Sequence, residues 1–159
     1  MSEDARFEDG REAPLNLGAL DADDLGVIST LVQDAVFPVT EMQFRRVERR
    51  FAILLNRFRW EDAEAATRLQ RAFERVQAVL VFDTVLSVAS QGLDRSDRDL
   101  ILSILSVTFQ PGEDGAGHIE ITLAGDGAIR LQVEAVEVTL RDVTRPYQAP
   151  SHNKPGHPE

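Results

Sequence analysis

The stretch RRFAILLNRFRW, Arg49 to Trp60, decides how the rest of the chain is read. Its apolar residues recur every second position, with Phe51, Ile53 and Leu55 on one side and Ala52, Leu54, Phe58 and Trp60 on the other. That two-residue beat belongs to a strand, where successive side chains point to opposite faces. Working backward, Met42 and Phe44 alternate with Glu41, Gln43 and Arg45. The charged run Arg45-Arg46-Val47-Glu48-Arg49-Arg50 then joins two strands as a hairpin tip. The beat continues to Leu140, and an antiparallel sheet is the simplest way to pair strands joined by such short turns.

Forward of Trp60, Glu61 to Ala66 reads as a connection or a single helical turn. From Leu69 to Gln91 the beat returns, with Val76, Ala78, Leu80, Phe82, Leu86 and Val88 on one parity and Val79, Val81 and Val85 on the other. The middle is therefore expected to be buried on both faces. A run this long exceeds an ordinary strand, so it must bend or break at Asp83-Thr84. Gly92 stops it, Asp94 to Asp99 is a polar turn, and Leu100 to Phe109 reads as a further strand. Ile119, Ile121 and Leu123 form the next, and Asp126-Gly127 is a hairpin signal with φ > 0 expected at both residues. Inward facing then passes from Ile129, Leu131 and Val133 to Val136, Val138 and Leu140, which places a bulge at Ala135-Val136.

Before Val39 the period differs. Leu15, Leu17 and Ala19 suggest a short first strand. Leu25, Ile28, Leu31, Val32, Ala35 and Val36 then form one stripe on an amphipathic helix, about Ala22 to Phe37, capped by Asp21 and stopped by Pro38. The expected fold is α+β: a curled antiparallel sheet of about seven to eight strands, half-open barrel or sandwich, with one N-terminal amphipathic helix. One helix cannot cover both faces of so large a sheet, so the sheet must curl on itself.

The chain has 159 residues, 43% of them apolar and 28% charged, which suits one domain. That domain is expected over residues 14–144, between an acidic tail at 1–13 and a proline-rich tail at 145–159, both read as disordered. No apolar run is long enough to span a membrane and no signal peptide begins the chain, so a cytoplasmic location is expected. There is no cysteine, which excludes disulfides, thiol catalysis and cysteine-based zinc sites.

No catalytic, cofactor-binding or metal-binding residues stand out. His118, His152 and His157 do not offer converging metal ligands. Ser29, Ser87, Ser90, Ser103 and Ser106 lie within regular elements, outside any nucleophile elbow. Gly115-Ala116-Gly117 and Gly125-Asp126-Gly127 do not open helices, so they read as turns and not phosphate loops. Glu134 and Glu137 sit among arginines on an exposed strand, where carboxylates ionise normally.

The one functional lead is arginine. Nine of the chain's arginines fall between Glu41 and Arg75, against six acids, leaving that window at +3 in a chain of −10. The candidate binding residues are Arg45, Arg46, Arg49, Arg50, Arg57, Arg59 and Trp60. Guanidinium groups beside aromatic rings suit an acidic protein face, a small anion or RNA. Against RNA stands the net negative charge, which repels a polyanion at long range. The expected role is a non-enzymatic protein-interaction or accessory domain with an unassigned protein partner, no cofactor and no membrane contact; the alternative is a binder of a small anion or RNA through the arginine-rich hairpin.

Arg49 to Glu61 (RRFAILLNRFRWE) and Gly127 to Asp142 (GAIRLQVEAVEVTLRD), with SQGLDRSD at Ser90 to Asp97 and FQPG at Phe109 to Gly112, resemble domain-of-unknown-function family 2948, a group of uncharacterised bacterial proteins. The resemblance spans roughly Leu15 to Leu140. It implies a small cytoplasmic bacterial protein and carries no activity or catalytic residue to this chain.

Overall fold

The computed structural model describes residues 14–94 and 96–148. Its order is β1 (Asn16–Ala19), α1 (Ala22–Leu31), β2 (Val36–Pro38), β3 (Met42–Arg45), β4 (Arg50–Phe58), α2 (Trp60–Arg68), β5 (Glu74–Phe82), β6 (Val85–Gln91), β7 (Ile101–Pro111), β8 (Gly117–Leu123), β9 (Ala128–Val133), β10 (Val138–Asp142) and β11 (Tyr147–Gln148). Every strand pairing is antiparallel. The strands follow the order β1-β10-β5-β4-β2-β7-β8-β9-β6, with β3 added to β4 and β11 to β5.

That order forces curvature. The connection between β5 and β6 is only Asp83-Thr84, and three Cα steps reach about 11 Å. Six strand spacings in a flat sheet would separate those strands by about 29 Å. The β9–β10 connection, residues 134–137, joins strands equally far apart in the order. The sheet therefore wraps around, and the two connections bond to each other. The Asp83 N–H donates to the Glu137 carbonyl at 2.9 Å and the Glu134 N–H to the Thr84 carbonyl at 3.0 Å. The Thr84 hydroxyl donates to the Ala135 carbonyl at 3.0 Å and accepts from the Ala135 N–H at 3.2 Å. The wrap does not close: β6 pairs with β9 alone, and β3 pairs with β4 alone.

The core is the inside of this wrap. Phe51, Ile53 and Leu55 of β4, Ala78, Leu80 and Phe82 of β5, and Ile119, Ile121, Leu123, Ile129 and Leu131 of the β8–β9 hairpin meet there, all buried. α1 packs on β7 and β1 and plugs the wrap with Leu25 and Ile28. Burying an aliphatic or phenyl side chain contributes about 1.5–3 kcal/mol, so this interior supplies the main driving force.

The antiparallel, unclosed sheet matches expectation, and four features differ. The strands number eleven rather than seven or eight, because β2 and β11 are too short to show a period and the last long run is two strands, β9 and β10. α1 stops at Leu31, since Asp34 turns left-handed (φ 63°) and Val36–Pro38 pair with β7 and β4. A second helix, α2, replaces the expected single turn; its inward residues are Asp62, Ala63 and Ala66, which make no apolar stripe. The phase flip near Ala135 is a passage between two strands rather than a bulge within one.

Smaller shifts follow the same logic. In the β8–β9 turn the left-handed residues are Gly125 (φ 82°) and Asp126 (φ 69°), one place earlier than expected. Val79 and Val81 are half-buried because, among the described residues, no layer covers the outer face of β5. Tyr147-Gln148 pair with Glu74 and Arg75, so ordered pairing continues past residue 144. The tail expected at 1–13, and the part past residue 148 of the tail expected at 145–159, lie outside the described residues, as do His152 and His157.

Candidate functional site

The seven candidate residues fall at opposite ends of β4. From Arg50 to Arg57 is seven strand steps, about 23 Å, so the two groups cannot grip one small ligand together.

At the far end, Arg57 shares the inward parity of Phe51, Ile53 and Leu55, and its guanidinium is fully buried. Its Nε and Nη2 donate to the Asp142 carboxylate, both at 3.0 Å, and Nη1 and Nη2 to Glu61 at 2.9 and 2.7 Å. Asp142 also accepts the Leu15 N–H at 2.9 Å. Burial opposes the Arg57 charge, but the bonds to Glu61 and Asp142 outweigh it and raise its pKa. Burial likewise pushes Glu61 up, and Arg57 overrides it to leave Glu61 below its ordinary value.

Arg59 is 4% exposed and donates to Glu74 at 2.8 Å. Arg71 forks onto Asp62, 2.7 Å on each arm. Burial works against the Asp62 charge, but Arg71 holds its pKa below the usual value. Trp60 packs edge-on to Phe58 at 4.6 Å and donates its indole N–H to the Gln33 carbonyl at 2.9 Å. Arg57 therefore fastens β4, α2 and β10 together from within, Arg59 ties the β4–α2 junction to β5, and Trp60 ties α2 to the segment after α1.

The near end is different. Arg45, Arg46, Arg49 and Arg50 are exposed on the hairpin tip. Three of them meet carboxylates: Arg45 reaches Glu48 at 3.5 Å, Arg49 pairs with Glu134, and Arg50 donates to Asp83 at 2.8 Å. Hydrogen bonding to Asp83 raises the Arg50 pKa. Such surface pairs leave the groups in reach of solvent and contribute little stability. Arg46 has no carboxylate partner among the described residues; its guanidinium lies over the Phe44 ring, 5.6 Å from the centroid.

Arg46 stands on the rim of a cleft of about 380 Å³ in the open seam of the sheet. The floor is buried Phe51 and Ile129, and the walls are half-buried Val39, Met42, Phe44 and Val88. Thr40, Ser90 and Arg98 complete the rim. Arg98, like Arg46, forms no ion pair among the described residues. Register explains the lining: Phe44 opposes Phe51, and Ser90 opposes Ile129, so β3 and β6 present inward-facing side chains from their free margins.

Arg98, Ser90, Met42 and Phe44 were not among the sequence candidates. Arg98 lies in the polar turn after SQGLD, and nothing local aims it at a hairpin some fifty positions earlier. The shared parity of Met42, Phe44 and Phe51 was the available signal for one wall. Among the described residues no group of three His, Asp or Glu is placed to hold a metal ion, and no helix is long and apolar enough to cross a membrane. His118 is exposed at the start of β8.

Fold and cleft together define an open, curled α+β sheet with an apolar seam rimmed by arginine. The chain belongs to the family described as protein of unknown function (DUF2948), which it matches over residues 15–157. No curated protein and no solved structure gives a match.

Proposed function

We propose that this protein is a non-enzymatic accessory domain of the bacterial cytoplasm that binds a small anion in the seam between β3 and β6. One observation carries the reading. Two rim arginines, Arg46 and Arg98, lack carboxylate partners among the described residues and stand over an apolar floor, whereas the other tip arginines are already paired. A cationic rim above a concave apolar surface is how small-molecule sites orient a charged ligand. A net charge of −10 supports a small anion over RNA, because only a short-range contact escapes the overall repulsion. The bacterial and cytoplasmic setting rests on the family resemblance and the sequence.

Amide NMR titration at low salt tests it, with acetate, phosphate and decanoate as probes. Saturable shifts at Arg46, Ser90 and Arg98 that disappear in Arg46→Glu/Arg98→Glu support the reading. Absence of such shifts with every probe refutes it.

A protein partner gripping the hairpin tip is the second reading. Val47 favours it, being 99% exposed between two charged residues. Loss of a purified partner on Val47→Asp, with seam titrations unchanged, would select this reading over the first.

A further inference from the structure

Resting on that anion-binding reading, we infer that the seam takes an amphipathic acid: one carboxylate head on a linear apolar body, and not a compact polar anion such as phosphate. The lining divides by chemistry. The side chains below the rim are apolar, from Phe51 and Ile129 at the floor to Met42, Phe44 and Val88 on the walls. Phosphate seated between Arg46 and Arg98 would leave that apolar surface wet. A fatty acyl or arylalkyl chain covers it.

The head group follows from the same arrangement. Arg46 comes from the hairpin tip and Arg98 from the β6–β7 loop, so the two forks approach from different elements. Guanidinium matches a carboxylate through paired N–H···O bonds. Thr40 and Ser90 add hydroxyls that donate to the same oxygens. The cleft's size, about 380 Å³, sits at the small end of the range of about 300–1,000 Å³ for small-molecule sites. That suits a medium-length chain over a bulky cofactor.

The test titrates the full chain with sodium octanoate, sodium decanoate, decan-1-ol and inorganic phosphate at constant ionic strength, all below micelle formation. Each buried methylene strengthens binding about fourfold, so decanoate should bind about fifteenfold tighter than octanoate. Arg46→Gln and Arg98→Gln should each weaken decanoate roughly three- to tenfold and leave decanol unchanged. Val88→Ser should weaken decanoate and decanol alike, and its thermal midpoint reports whether the fold is intact. Phosphate should neither shift the seam amides nor displace decanoate. Equal affinity for octanoate and decanoate, or displacement by phosphate, overturns this inference while leaving the anion site standing. Silence from every probe removes both.

Discussion

Asp142→Asn isolates the buried charge at the heart of the second group of arginines. Asp142 is almost the same size as asparagine, so the change removes charge without opening a cavity. In the wild type the Asp142 side chain is 3% exposed and the Arg57 side chain 0%. Asp142 accepts two bonds from Arg57 at 3.0 Å and one from the Leu15 N–H at 2.9 Å. Removing one partner of a buried ion pair costs about 3–5 kcal/mol, because the remaining charge is stranded away from water. Glu61 still holds two guanidinium donors, which argues for the lower end, about 3 kcal/mol. For a domain near this size that is a thermal midpoint lowered by roughly 6–12 °C. Urea denaturation and calorimetry read it directly. Arg57→Met completes a cycle: with both charges gone, the double variant should be more stable than the sum of the single losses predicts, by about 2 kcal/mol. A loss below about 1 kcal/mol for Asp142→Asn, or strict additivity, refutes the claim that this pair acts as a buried unit.

Acid should unfold the protein through α2. Glu61 and Asp62 have lowered pKa values in the folded state, so the unfolded chain binds more protons. Their contribution is complete above the ordinary carboxylate range and is lost as pH falls through the folded values, below about pH 4; urea midpoints that stay flat from pH 7 to pH 3 would contradict this, and Arg71→Met should reduce the slope. Gly117→Ala should prevent stable folding, because a Cβ there collides with the Gln110 carbonyl oxygen and sits 3.0 Å from the Gly112 nitrogen. Gly26→Ala, with open space around the added atom in the α1 interior, should stabilise by about 0.5–1 kcal/mol, and circular-dichroism melts of the two variants distinguish the cases. Asp21→Ala removes the bond accepted from the Asp24 N–H at 2.8 Å and should cost about 1 kcal/mol by denaturant titration.

Alternation was legible wherever one face of a strand meets the core. β4, β5, β8 and β9 follow the parity read from their apolar residues, and the corner at Asp83-Thr84 was visible as a run too long to stay straight. α1 was legible because Leu25 and Ile28 sit on a stripe. α2 was not, because its buried face is two alanines and an aspartate whose charge is matched by Arg71, a partner outside the helix. The phase flip at Ala135 was visible, but alternation reports only which way a side chain faces, never which neighbour the strand has joined. Arg57 was the costliest misplacement. Its parity with Phe51, Ile53 and Leu55 and its four-residue spacing to Glu61 were both present in the sequence, yet its burial depends on Asp142, eighty-five positions away. The cleft was legible only in part, since Arg46 was named with its neighbours whereas Arg98 arrives there through tertiary folding.

The pairing of β1 has a consequence for synthesis. Asn16–Ala19 are synthesised well before their strand partner, Val138–Arg141. Every strand from β2 to β9 is made before the first strand has its partner. Until then Leu15 and Leu17 are exposed hydrocarbon, and β5 lacks its β10 neighbour as well. Pairing of β10 with β1 and β5 is thus a long-range event, of the kind that slows folding when contacting residues are far apart along the chain. Any truncation that removes Val138 to Asp142 withdraws the cover from both strands at once.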